Sequence, residues 1–145
     1  MILKKGITGF FDCKDSPVPE MDFKIFKTLC HTIDNCTQWK FIHINSNPDG
    51  NYYSAEFKTS SGTIYLLLNK HYPIIGFTEK LNVGNIVFTD NNDISYLLGD
   101  YEIVSADILN GWIDDVVNEL SEVEQSQIEY WNPSSVGNVV FNSWD

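Results

Sequence analysis

The chain has 145 residues, of which 9 are basic and 20 are acidic, so its formal net charge is −11. Hydrophobic residues make up 43%, which is typical of one globular domain, and we expect that domain to span residues 1–145. All the basic residues are lysines, and arginine is absent. This balance disfavours nucleic-acid binding, because phosphate contacts need a basic surface. The chain also lacks the planar guanidinium of arginine, which usually binds carboxylates and phosphates.

The negative charge is concentrated in the second half of the chain. Residues 1–80 hold all nine lysines and eight acids, a net charge of +1, whereas residues 81–145 hold twelve acids and no lysine, a net charge of −12. An acidic surface can serve solubility alone. A one-sided field also costs stability through self-repulsion, so it suggests a docking surface for a cationic partner.

The first half predicts one helix and a series of strands. Residues 2–11 form a strand or a loosely held arm. From Glu20 to about Asn35, apolar residues recur every three or four positions, which predicts an amphipathic helix. Period-two alternation then predicts strands over residues 39–44 and 53–58. Residues 63–68 are apolar on both faces, which predicts a central strand, and Pro73 opens another short strand at 74–78. Their connections are too short for crossover helices, so we expect an antiparallel meander.

The second half is less regular. Residues 84–104 are ambiguous, with short strands possible at 86–88 and 101–104. Ser105 is a suitable cap for a helix from Ala106 to about Gln125, although Gly111 weakens its first turns. Residues 139–141 predict a last strand. The fold class expected is α+β: an antiparallel β-meander sheet with one N-terminal and one C-terminal helix packed on it.

One short segment occurs twice. Residues 83–88 and 136–141 agree at five of six positions. The copies lie 53 residues apart and nothing else repeats, which excludes a solenoid. Two interpretations of this likeness are kept: it is a coincidence, or the two segments form strands of equivalent role.

The chain carries no recognisable targeting or membrane signal. No apolar run follows the lysines near Met1, and Ile64–Leu68 is far too short to span a bilayer. The three cysteines, Cys13, Cys30 and Cys36, do not form a disulfide framework, which fits a reducing compartment. We therefore expect a cytoplasmic protein that does not bind membranes.

Catalytic motifs are absent from the sequence. It contains no nucleophile elbow, phosphate loop, zinc-protease motif or calcium loop. Cys30 and His31 are neighbours on the predicted helix and point about 100° apart, so they cannot act as nucleophile and base. His43 alternates in phase with Trp39 and Phe41, which favours a core or face residue over a ligand. We expect no catalytic residue, no metal site and no cofactor.

The acids of the second predicted helix form the candidate site. Asp115, Glu119 and Glu122 share one face at spacings of four and three, and no lysine lies among them. Either this face is simply solvated or it docks a cationic partner. In the tail, Trp131 is expected to pack, whereas Trp144 is a candidate interface anchor. The predicted partner-binding residues are Asp107, Asp114, Asp115, Glu119, Glu122, Glu124, Glu129 and Trp144.

The tail Val136-Gly-Asn-Val-Val-Phe-Asn-Ser-Trp-Asp145 resembles the ends of small bacterial immunity proteins from polymorphic-toxin and contact-dependent inhibition systems. The resemblance covers about a tenth of the chain, and the rest agrees only in being small, acidic and α+β. It implies tight binding to one cognate toxin C-terminal domain, often a nuclease. It assigns no contact residue, because those surfaces vary between pairs.

Two other functions fit the same sequence. A secretion chaperone is also small and acidic, and it would show an apolar dimer face. A small enzyme would need a deep pocket on the curved sheet that holds His43 or a carboxylate with a raised pKa.

Overall fold

The computed structural model describes residues 1–144, so Asp145, the last residue of the tail motif, lies outside the described residues. The protein is α+β, with a five-stranded, mostly antiparallel sheet in the order β2-β3-β4-β5-β6 and a separate parallel pair, β1-β7. The strands are β1 (Ile2–Leu3), β2 (Lys40–Asn45), β3 (Tyr52–Thr59), β4 (Gly62–Asn69), β5 (Ile74–Thr78), β6 (Glu102–Ile103) and β7 (Val117–Asn118). The α-helices are α1 (Phe23–Cys36), α2 (Ala106–Leu109), α3 (Glu122–Trp131) and α4 (Gly137–Val140).

One face of the sheet is covered by α1, which forms where the helical period predicted it. Asp22 caps the helix by accepting a hydrogen bond from the Lys24 backbone N–H. The helix buries its apolar stripe, including Phe26 and Ile33, against alternate residues of β3 and β4 such as Phe57 and Leu66. The strands predicted over 53–58, 63–68 and 74–78 are all present, because each alternates between this face and the opposite one.

The opposite face is covered by the two ends of the chain. Leu3 and Ile7 from the N-terminal arm pack with Val139 and Phe141 from the tail over Leu67 of β4. Gly76 of β5 leaves room for this layer, since a Cβ there would lie 3.0 Å from both Leu109 and Phe141. The sheet is therefore enclosed between one regular helix and one irregular layer.

The edge strand β2 carries a bulge that changes its predicted phase. Phe41 pairs with Phe57 and His43 pairs with Glu56, so Ile42 is the extra residue between them. A bulge shifts the alternation by one position. As a result Phe41 and Ile44 pack towards α1 while His43 is exposed, and the prediction that His43 shares a face with Phe41 is wrong.

The predicted helix over 106–125 is wrong, because it is broken into separate elements. The α2 turn ends at Asn110, whose side chain exchanges hydrogen bonds with the backbone N–H and C=O of Phe88. A 3₁₀ turn at Ile113–Asp115 follows, and then Val117 pairs in parallel with Ile2. A new helix, α3, begins only after Ser121, which forms a capping box with Glu124. The tertiary partners of Asn110 and Val117 outweigh the helical period of the segment.

The predicted strands at 139–141 and 86–88 are also wrong. Residues 137–140 form the buried helix α4, and the Asn138 side chain takes the place of a strand partner. Its Oδ1 accepts from the Ile86 N–H at 2.8 Å and its Nδ2 donates to the Ile86 carbonyl at 3.0 Å. The two similar segments therefore contact each other without sharing a backbone conformation, which excludes strands of equivalent role.

Candidate protein-binding surface

Six of the seven predicted acids are exposed, but they do not lie on one helix. They are spread from α2 through the 3₁₀ turn and β7 to α3, on a backbone that changes direction several times. The exposed acids are Asp107, Asp114, Asp115, Glu119, Glu122 and Glu129. The shared helical face that the spacing predicted for Asp115, Glu119 and Glu122 therefore does not exist. Asp115 lies in a 3₁₀ turn, Glu119 follows β7, and Glu122 begins α3.

These acids have no cation of their own. Within residues 1–144, the one ion pair is Lys5–Asp15, at 3.9 Å between exposed side chains of the N-terminal arm. The acids from Asp90 to Glu129 are therefore without an ion pair, because residues 81–144 contain no lysine and none of the nine lysines comes within ion-pair distance of them. Their field is available to an external partner.

Exposed apolar side chains lie among these acids. Trp112, just before the 3₁₀ turn that carries Asp114 and Asp115, is 75% exposed. Val117 is 58% exposed, and its strand partner Ile2 is 42% exposed. Aromatic and aliphatic side chains ringed by charges are typical of the centre of a protein interface.

The surface is held on a well-anchored backbone. The Glu119 N–H donates to the Leu3 carbonyl at 2.9 Å, and the Val136 N–H donates to the Gly111 carbonyl at 3.0 Å. These bonds join the segment 111–119 to both ends of the chain. Ile2 enters the surface only through the β1-β7 pairing, and no sequence pattern pointed to it.

Glu124, predicted as a partner-binding residue, is not on this surface. Its side chain is fully buried and holds the N-terminal arm by accepting hydrogen bonds from the Gly6 N–H at 2.9 Å, the Thr8 N–H at 3.2 Å and the Thr8 hydroxyl. It also accepts from the N–H and hydroxyl of Ser121. The capping box turns the carboxylate inward, so this residue is structural.

The two tail tryptophans differ in exposure in the opposite sense to that expected from the sequence. Trp144 is only 7% exposed and packs in the core, whereas Trp131 remains 40% exposed although its ring stacks on that of Trp144. Tyr130, beside it, is 78% exposed. The Tyr130-Trp131 pair was visible in the sequence as an uncharged aromatic end, but its exposure was not.

The small-enzyme alternative calls for a deep pocket that holds His43 or a carboxylate with a raised pKa. A cavity of about 660 Å³ is an open groove at the end of α1, and His43 is not among the residues that line it. Among residues 1–144, no three metal-ligating side chains come together. Burial raises the pKa of the Cys30 thiol to about 12, which keeps it protonated and a poor nucleophile.

Comparisons with protein-family models, curated proteins and solved structures give no match to this chain. Within the described residues, none of the helices combines the length and the apolar character needed to cross a membrane.

Proposed function

We propose that the protein is a cytoplasmic immunity protein that neutralises the C-terminal domain of a cognate, basic, nuclease-type toxin. The observation that carries this proposal is the run of exposed, unpaired acids between α2 and α3, with exposed apolar side chains next to them in the chain. Asp114, Asp115 and Glu119 have no lysine within ion-pair distance, and Trp112 projects beside them with 75% exposure. The resemblance of the tail to immunity proteins agrees with this function.

The physics of the surface suits such an inhibitor. A nuclease must be basic to hold its substrate, so carboxylates can occupy the sites of the phosphates. Complementary fields accelerate the encounter of two proteins more than they add affinity. The exposed apolar side chains supply the contact that slows dissociation. The acids thus favour fast association, and Trp112 favours slow dissociation.

The test uses the cognate toxin C-terminal domain, which the proposal expects to be encoded directly upstream of this protein's gene. Association with the domain is followed by stopped-flow fluorescence at several salt concentrations. The charge-reversal variant Asp115→Lys with Glu119→Lys is expected to associate roughly tenfold more slowly, with a weaker salt dependence. The matched control is Asp100→Lys with Glu102→Lys, which changes the net charge equally at an exposed position near β6.

A slower rate in the first variant and not in the control supports docking on this surface. Equal slowing in both assigns the effect to net charge alone. An unchanged rate and an unchanged salt dependence in the first variant would contradict the proposed surface.

A further inference from the structure

Four aromatic rings form a continuous strip along the end of α3 and the N-terminal arm. The centroids of Phe10 and Trp144 lie 6.3 Å apart, those of Trp144 and Trp131 also 6.3 Å, and those of Trp131 and Tyr130 5.3 Å. The two indoles are nearly parallel, with 4° between their planes. We call these four residues the aromatic strip.

The strip is partly open to solvent and fixed in place. Its exposure rises outward from Trp144, through Trp131, to Tyr130. The Trp131 Nε1–H donates to the Gln127 side chain at 3.0 Å, one turn earlier on α3. The outer faces of the Trp131 and Tyr130 rings are left uncovered by the core. They form an aromatic platform that is already in position for a ligand.

The buried end of the strip leads into a small cavity. Phe10 and Trp144 line a space of about 170 Å³ together with Glu20 and Asp49. A water molecule occupies about 30 Å³ in the liquid. The cavity therefore has room for the end of one side chain and not for a drug-sized ligand.

The charge around this cavity is negative. Burial lowers the pKa of the nearby Lys70 ammonium, and the negative charges of Glu20 and Asp49 only partly oppose that shift. The Lys70 Nζ donates at 2.7 Å to the Asn47 carbonyl. The His71 imidazole also lines the cavity. With that ring neutral, two carboxylates against one lysine leave a net negative charge beside the aromatic strip.

We propose that the aromatic strip and this cavity receive an arginine side chain of a protein partner. The identification of that partner as the toxin rests on the proposed function, but the arginine site itself does not. A guanidinium is planar, stacks on aromatic faces and donates to carboxylates in a fixed fork. Nucleic-acid bases also stack on such platforms, but the net charge of −11 repels their phosphates.

The site can be tested on the whole chain without the toxin. The chain is labelled with ¹⁵N and titrated with N-acetyl-arginine amide, and with the citrulline analogue as an uncharged control of the same shape. The indole N–H signals of Trp131 and Trp144 are expected to shift saturably with arginine and not with citrulline. The signal of Trp39, which is 4% exposed, is the internal control.

Two sets of variants separate the strip from the cavity. Tyr130→Ala should weaken arginine binding about two- to fivefold, as for the loss of one cation–π contact, and Tyr96→Ala is the matched control because that tyrosine is 69% exposed elsewhere. Glu20→Gln with Asp49→Asn should weaken it further, with Asp93→Asn and Asp100→Asn as the charge control.

The proposal is overturned if no saturable shift occurs, if citrulline shifts the same signals, or if Tyr130→Ala and Tyr96→Ala behave alike. A chain that binds arginine here but not the neighbouring toxin domain would contradict the proposed function and leave the site standing. A chain that binds the toxin domain but not arginine would contradict the arginine site and leave the proposed function standing.

Discussion

The two layers that enclose the sheet are built in different ways. On one face, α1 packs a periodic apolar stripe on strands that alternate in register with it. On the other face, the N-terminal arm and residues 104–144 contain only short elements and are joined by side chains that bond to backbone. The first layer is stabilised by repetitive burial, whereas the second depends on individual polar residues.

Three buried asparagines show how the second layer is joined. Asn51 donates to the Ile7 carbonyl at 2.8 Å and to the Val140 carbonyl at 2.9 Å, and Asn69 donates to the same two carbonyls. The Asn142 side chain donates to the Thr8 carbonyl at 3.2 Å. These side chains replace the backbone ladder that a sheet or helix would provide, so each one matters more than an average residue of the first layer.

The largest expected effect is the loss of the buried carboxylate of Glu124. Glu124→Ala removes the acceptor for the Gly6 N–H and the Thr8 N–H and hydroxyl, and leaves those donors buried. We expect the free energy of unfolding to fall by about 3–5 kcal/mol. The control is Glu122→Ala, an exposed residue two positions earlier, which should change it by less than about 0.5 kcal/mol.

Urea unfolding followed by tryptophan fluorescence gives both values. Similar, small losses in the two variants would show that the arm does not depend on Glu124 and would remove the distinction between the two layers.

The second prediction for the irregular layer is a steric clash introduced at Gly137. A Cβ at Gly137 would lie 2.1 Å from Cε2 of Phe88, whose ring also packs on Phe141 at 5.6 Å. We expect Gly137→Ala to cost about 2–3 kcal/mol through overpacking. The control is Gly99→Ala, because a Cβ there meets nothing within 4 Å. Thermal unfolding checks the pair, and equal midpoints would contradict the close packing of α4 on Phe88.

The regular layer could be predicted from sequence, and the irregular one could not, for a physical reason. Periodicity reports burial against a flat partner, so the stripe through Phe26 and Ile33 identified α1 and alternation identified β3. The segment that is apolar on both faces identified β4. The helix predicted over 106–125 has the same periodicity, but Asn110 and Val117 have stronger partners far away in sequence. Such partners leave no local pattern.

The candidate surface shows the same limit. Charge counting located the acidic stretch correctly, since exposure of Asp114 and Asp115 needs no particular fold. It failed at Glu124, because nothing in the composition marks which carboxylate turns inward to bind the N-terminal arm. A capping-box pattern, Ser121 followed by Glu124, was the one available signal.

The regular layer predicts a loss of stability at high pH. Cys30 lies on the buried face of α1, and burial raises the pKa of its thiol to about 12 from its ordinary value of 9.0. Above pH 9 the unfolded chain loses this proton and the folded chain keeps it, so stability falls as pH rises, by up to about 1.4 kcal/mol per pH unit until the folded pKa is reached.

Urea unfolding at pH 8, 9 and 10 measures this slope. Cys30→Ser should flatten it, whereas Cys36→Ser, at an exposed position of the same helix, should leave it unchanged. Buried tyrosines add to the slope in the same direction, so the difference between the two variants is the informative quantity. Identical slopes would place Cys30 outside the core.

The smallest effect compares the caps of the two main helices. Asp22 only accepts from the Lys24 N–H at 2.9 Å, so Asp22→Ala should cost α1 about 1 kcal/mol. Ser121 accepts from the Glu124 N–H and also donates its hydroxyl to the buried Glu124 carboxylate at 3.0 Å. Ser121→Ala should therefore cost more than Asp22→Ala, because it removes a cap and one of the donors that hold the arm in place. Asp22→Asn and Ser121→Thr keep each cap and serve as controls. Equal losses in the two alanine variants would mean that the capping box acts on α3 alone, without contributing to the contact between α3 and the N-terminal arm.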